Sequence, residues 1–75
     1  MTLNLVNVGE SVRVVSIAPS QVGFRRKLLS LGMTPGAQIK VKRLAPLGDP
    51  MEIEVRGFNL SLRKAEAETI LVEKC

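Results

Sequence analysis

Histidine, tyrosine and tryptophan are absent from this chain, and its single cysteine, Cys75, is the last residue. These gaps remove most side chains that enzymes use near neutral pH. Ser16, Ser20, Ser30 and Ser61 have no histidine to act as their base, and no glycine-rich phosphate loop ending in Gly-Lys-Ser/Thr occurs. The expectation is a protein that is not an enzyme. One cysteine cannot close an internal disulfide, which excludes a stapled secreted mini-protein and suits a reducing cytoplasm. Apolar runs such as Ile70-Leu71-Val72 fall far short of the ~20 residues needed to cross a bilayer. The opening MTLNLVNVGE lacks the basic start and long apolar stretch of a secretory signal, and Cys75 is misplaced for a prenylation box.

Aromatic residues are nearly missing too, with only Phe24 and Phe58 present, both at positions that sequence periodicity assigns to the core. Single-strand nucleic-acid binders need aromatic stacking platforms, and ordinary SH3 domains line their proline-peptide groove with Tyr and Trp. Neither ligand class is expected, although Arg25-Arg26-Lys27 with Lys40, Lys42 and Arg43 supply cations suited to phosphates. A metal site wants clustered His, Cys or carboxylate. Met33 and Met51 read as packing residues and Cys75 has no chelating neighbour, so no metal ligand and no cofactor are assigned.

What is present is enough greasy surface to fold: 45% of the 75 residues are apolar and 24% charged, with net charge +4. Residues 1–75 read as one domain, without repeat or linker. Ser11 to Ile17 is rich in β-branched residues, with Val12 and Val14 on one face and Val15 and Ile17 on the other, a phase change that predicts a bulge. Ser20 is the candidate N-cap of a helix over Gln21 to Leu31, in which Phe24, Leu28 and Leu31 share a stripe. Gly32 can close that helix in the left-handed conformation, and Pro35-Gly36 blocks continuation. A second strand spans Gln38 to Leu44, with Ile39 and Val41 inward and a parity switch at Leu44 that predicts another bend. Met51, Ile53 and Val55 define a third strand, and Phe58, Leu60 and Leu62 a fourth. Lys64 to Glu68 makes about one helical turn before a fifth strand over Thr69 to Glu73. Five short strands, two of them bent, imply an all-β fold: a small SH3-like β-barrel with one short α-helix between the first two strands.

Glu52 and Glu54 share one face about 7 Å apart by strand geometry. A paired-acid site is the sharper reading, but carboxylates facing Lys40 and Lys42 across a hairpin are the expected one. On the helix, Leu29 lies between Arg25 and Arg26, either a protein-contact patch or a stripe buried with the rest of the helix. Between strands two and three stands LAPLGDP, Leu44 to Pro50. Pro46 and Pro50 stiffen it, Gly48 supplies an unusual backbone conformation, and the Asp49 side chain can cap the turn. Leu47 either projects toward a partner or folds back over the barrel's open end.

Three segments in order carry a family resemblance: KLLSLGMTPG at Lys27 to Gly36, VKRLAPLGDP at Val41 to Pro50, and RGFNLSLRKAEA at Arg56 to Ala67. Together they resemble the ferrous iron transport protein A (FeoA) family over nearly the whole chain. The resemblance implies a cytoplasmic SH3-like accessory of bacterial ferrous iron uptake. Its partner would be the FeoB permease, with a cytoplasmic GTP-binding domain and a transmembrane pore, so that membrane contact is only indirect. Modulation of GTP hydrolysis and assembly of the permease are both open as its role. A chain without histidine is poorly equipped to ferry iron, so the expected role runs through protein contact, with Arg25, Arg26, Leu29, Leu47, Gly48 and Asp49 as candidate contact residues. If hydrolysis is stimulated, Arg25 or Arg26 is the candidate donated arginine. The alternatives are an SH3-like module related to those of metal-dependent repressors, a small basic nucleic-acid-binding barrel, and a homo-oligomer. The start at Met1 without a helix-turn-helix favours a free-standing transport accessory.

Overall fold

The alternating apolar positions of the chain become the inner face of one antiparallel sheet. A computed structural model of the protein describes residues 1–18 and 22–75. Its strands are β1 (Ser11–Ile17), β2 (Gln38–Leu44), β3 (Met51–Val55), β4 (Phe58–Leu62) and β5 (Ile70–Lys74), ordered β4-β3-β2-β1-β5. Between β1 and β2 stands helix α1 (Val22–Ser30), and between β4 and β5 a single turn, α2 (Lys64–Ala67). Both phase changes in the sequence are register shifts, one between Val14 and Ser16 against β5 and one between Val41 and Arg43 against β3. The first leaves Val15 exposed and returns Ile17 to the core that Val12 and Val14 occupy. An extra residue bends a strand and increases its twist, which is how short strands curl around a common interior.

That interior is filled by Val12, Val14, Ile39, Val41, Ile53, Val55, Ile70 and Val72, closed at its ends by Leu3, Leu28, Met33 and Ala67, all buried. No buried polar or charged residue occurs among the described residues. The N-terminal segment forms a 3-10 turn at Leu3–Leu5 and lies along β5, where Thr2 bridges Leu71 and the Val72 N–H donates to the Met1 carbonyl at 2.8 Å.

Helix α1 ends as its glycine predicts. Gly32 sits at φ +98, the Gly32 N–H donates to the Leu29 carbonyl and the Met33 N–H to the Leu28 carbonyl, each at 3.1 Å. This is the Schellman arrangement, with Leu28 and Met33 as its buried hydrophobic pair. The N-cap expected at Ser20 lies outside the described residues.

Phe58 corrects the sequence reading. Its parity places it on the inner face with Leu60 and Leu62, yet it is 62% exposed and Leu60 only half-buried. Beside β4, the last strand of the sheet, no further strand among the described residues closes over its side chains, so inward parity does not amount to burial.

Candidate functional site

Residues Ala45 to Pro50 connect β2 to β3 and are braced from three directions. Within the loop, the Gly48 N–H donates to the Ala45 carbonyl at 2.7 Å and the Ala45 N–H to the Pro50 carbonyl at 3.1 Å. Gly48 takes φ +79, a conformation that glycine adopts without a Cβ clash. The third brace comes from Asp49, and it differs from the expected cap of the loop's own turn. The Asp49 carboxylate Oδ1 accepts from the Lys64 backbone N–H at 2.9 Å, at the first residue of α2. That N–H is one of the donors a helix start leaves unpaired, and a carboxylate there is also favoured by the helix dipole. Glu66 Oε1 accepts from the neighbouring Arg63 N–H at 2.8 Å. The tip is therefore tied to a second element 15 residues along the chain.

Leu47 stands at the apex of this braced loop and is 95% exposed, so it projects instead of folding back over the barrel. Beneath it lies a notch of about 180 Å³ lined by Leu44, Leu47, Gly48, Met51, Asn4 and Lys64. The parity switch at Leu44 explains its apolar wall: the bulge sets Leu44 opposite buried Met51 on the inner face, and at the open end of the strand it stays 40% exposed. Ligand pockets usually enclose about 300–1,000 Å³, so the notch suits one or two side chains of a partner better than a small molecule.

The remaining candidate residues are on α1. Arg25 and Arg26 are exposed, and Leu29 is half-buried against the core beside Phe24. Leu29 is thus packed in part against the core and in part exposed. The C-terminal end of α1 is fastened by a residue that sequence reading passed over, Arg56. Its Nε donates to the Gly32 carbonyl at 3.0 Å, bringing a cation to the negative end of the helix. Arg56 and Gly57 form the β3–β4 turn with φ values of 48 and 83. Residue 56 faces that helix end only because β3 and β4 fold back there, so no local pattern announced it. The helix end and the LAPLGDP tip stand at opposite ends of β3, about 13 Å of strand apart. Leu47, Gly48 and Asp49 are gathered into one feature, while Leu29 belongs to another.

Of Glu52 and Glu54, which share a face of β3, Glu54 is engaged by a cation. The Glu54 carboxylate meets Lys42 Nζ at 3.2 Å, a surface ion pair, while Lys40 lies opposite Glu54 in register. Among the described residues no three His, Cys, Asp or Glu side chains cluster.

A family model, the FeoA domain, matches residues 1–74. The chain belongs to the FeoA family. This is a family associated with ferrous iron transport, an accessory of transport and not a known enzyme family. A curated relative is the Fe(2+) transport protein A/Fe(2+) transporter FeoB fusion protein of Porphyromonas gingivalis (strain ATCC BAA-308 / W83). It is 34% identical over 73 residues, covering 97% of this chain. The chain spans only 8% of that fusion protein. The solution structure of FeoA from Chlorobium tepidum superposes with a TM-score of 0.93 at 42% identity, over 99% of this chain and 70% of that one. The zinc-complexed FeoA of Stenotrophomonas maltophilia, described as a prokaryotic SH3 domain protein, gives a TM-score of 0.87 at 26% identity, over 97% of this chain and 89% of that one. The SH3-like architecture expected from five short strands, two of them bent, is therefore the family's own. A manganese-dependent transcriptional repressor shares the fold, with a TM-score of 0.89 at 16% identity over 41% of its length. No described helix is long and apolar enough to cross a membrane.

Proposed function

We propose that the chain is a cytoplasmic accessory of bacterial ferrous iron uptake that binds a FeoB-type permease by protein contact, with Leu47 on its braced tip as the anchor. The observation that carries this reading is the fusion of an FeoA domain and a FeoB transporter into one polypeptide in Porphyromonas gingivalis, since fused domains act at one place. The tip supplies the physical means. A large apolar side chain already held in its bound shape loses little conformational freedom on docking, and the notch beside it accepts a side chain in return.

Burying Leu47 contributes about 1.5–3 kcal/mol. Leu47→Asp should therefore weaken binding to a detergent-solubilised permease by roughly ten- to a hundred-fold or more. The exposed position predicts unchanged folding, so retention of the variant on the immobilised permease at parental affinity counts against the tip. The same titration in each nucleotide state, with GTP turnover recorded, addresses Arg25 and Arg26, both exposed and outside the observed ion pairs. If either arginine is donated, replacing both with alanine removes stimulation of hydrolysis while binding persists. One objection to the nucleic-acid alternative falls, because Phe58 is exposed, but a lone exposed aromatic gives only a single stacking platform.

A further inference from the structure

The sheet has two outer strands, and the structure treats them differently. The free side of β5 is occupied by the chain itself, through the Thr2–Leu71 bridge and the bond from the Val72 N–H to the Met1 carbonyl. The free side of β4 has no such cover: among the described residues it pairs with β3 alone, and none of its backbone groups bonds outside that ladder. The register identifies which groups are unpaired. A two-residue loop, Arg56-Gly57, makes Val55 and Phe58 a hydrogen-bonded pair, so Leu60 and Leu62 also bond inward to β3. The N–H and C=O groups of Asn59 and Ser61 therefore face away from the sheet.

Natural proteins protect such edges with charges, prolines or bulges. The sequence of β4, Phe-Asn-Leu-Ser-Leu, has none of these and remains in register along its whole length. Cations stand just beyond both ends, Arg56 before it and Arg63 and Lys64 after it, all exposed. Pairing with a second copy in antiparallel fashion, centred on Leu60, would bring the turn carrying Arg56 of one molecule near Arg63 and Lys64 of the other at both ends. Like charges brought close together are destabilising. An extended segment of another protein with acidic residues at its two ends has no such conflict. Its middle must be free of acids, because Glu52 and Glu54 line the outer face of the adjacent β3.

We infer that the free edge of β4 is a docking site for an extended, acid-flanked segment of a protein partner, added as a sixth strand through the backbone of Asn59 and Ser61. The site goes beyond the tip reading and does not depend on it. Strand addition takes affinity from main-chain bonds and selectivity from flanking side chains, here the cationic ends.

A synthetic peptide of five alternating Val and Thr residues with two Glu at each end is the probe, and a counterpart with Lys ends is its control. In an NMR titration of the full chain, the acidic peptide should shift and protect the Asn59 and Ser61 amides, which exchange freely beforehand while Leu60 is protected. The Lys-ended peptide should bind at least about tenfold more weakly, with the difference shrinking as salt screens the charges. Ser61→Pro removes an outward donor without touching the ladder, a substitution that edge strands tolerate, and should abolish binding. Should that variant misfold, Arg63→Gln tests the charge term by itself, with a several-fold loss expected for the acidic peptide alone. Leu47→Asp should bind the peptide like the parent. Equal binding of both peptides, no binding at millimolar peptide, shifts at the tip in place of β4, or concentration-dependent protection of Asn59 and Ser61 without peptide would each overturn the proposal, the last by making a second copy the occupant.

Discussion

Replacing Asp49 with alanine separates the tip from α2 while leaving the loop's internal bonds intact. The lost contact is a bond of 2.9 Å from the Lys64 N–H to a carboxylate. Deleting a side-chain acceptor at a helix start costs about 0.5–2 kcal/mol. Exposure of Asp49 puts this case toward the middle or lower half of that range, near 1 kcal/mol. For a domain of this size the melting temperature should fall by roughly 4–8 °C per kcal/mol, readable by circular dichroism. Hydrogen exchange localises the effect: the Lys64 amide should exchange about fivefold faster, the factor equivalent to 1 kcal/mol. The amides of Gly48 and Ala45 should change less, because their partners are the Ala45 and Pro50 carbonyls. Asp49→Asn keeps an acceptor at the same place and should recover much of the loss. Unchanged Lys64 exchange in the alanine variant would refute the bracing argument, whatever happens to overall stability.

Two further substitutions probe the helix. Gly32→Ala must hold a Cβ at φ +98 and would place it 2.5 Å from Arg56 Cδ, so it should cost at least about 1–2 kcal/mol, measured by urea denaturation. Arg56→Ala should relieve the clash but not the backbone penalty, making the pair of changes less than additive. Leu29→Asp, attractive as a surface disruption when only the helix wheel is considered, removes a half-buried side chain packed against the core. It should lower stability by about 1–3 kcal/mol, and a lost interaction in that variant says nothing about a contact surface unless its melting curve matches the parent.

Much of the architecture was legible because β-structure writes a period of two into the sequence, and bulges write a break in that period. Val12, Val14, Ile39, Val41, Ile53 and Val55 were placed correctly by alternation, and both register shifts by its failures at Val15 and Leu44. The end of α1 was legible for a similar reason, since few residues other than glycine accept the conformation found at Gly32. Phe58 was misplaced because alternation reports the side of a strand and not its position in the sheet; only strand order shows β4 to be an edge. The N-terminal cover on β5 was missed because a single bridge leaves no period to detect.

The candidate site divides along the same line. By itself the sequence determined that LAPLGDP would be a stiff connection, since proline and glycine act on their own backbone. It also determined, through residues that resemble one family from end to end, which family the chain belongs to. Only the tertiary structure decided that Leu47 points into solvent, that Asp49 reaches α2 and not its own turn, and that Arg56 closes α1. The last two of those outcomes depend on groups 15 and 24 residues apart meeting when the sheet curls, and a contact of that separation has no local signature.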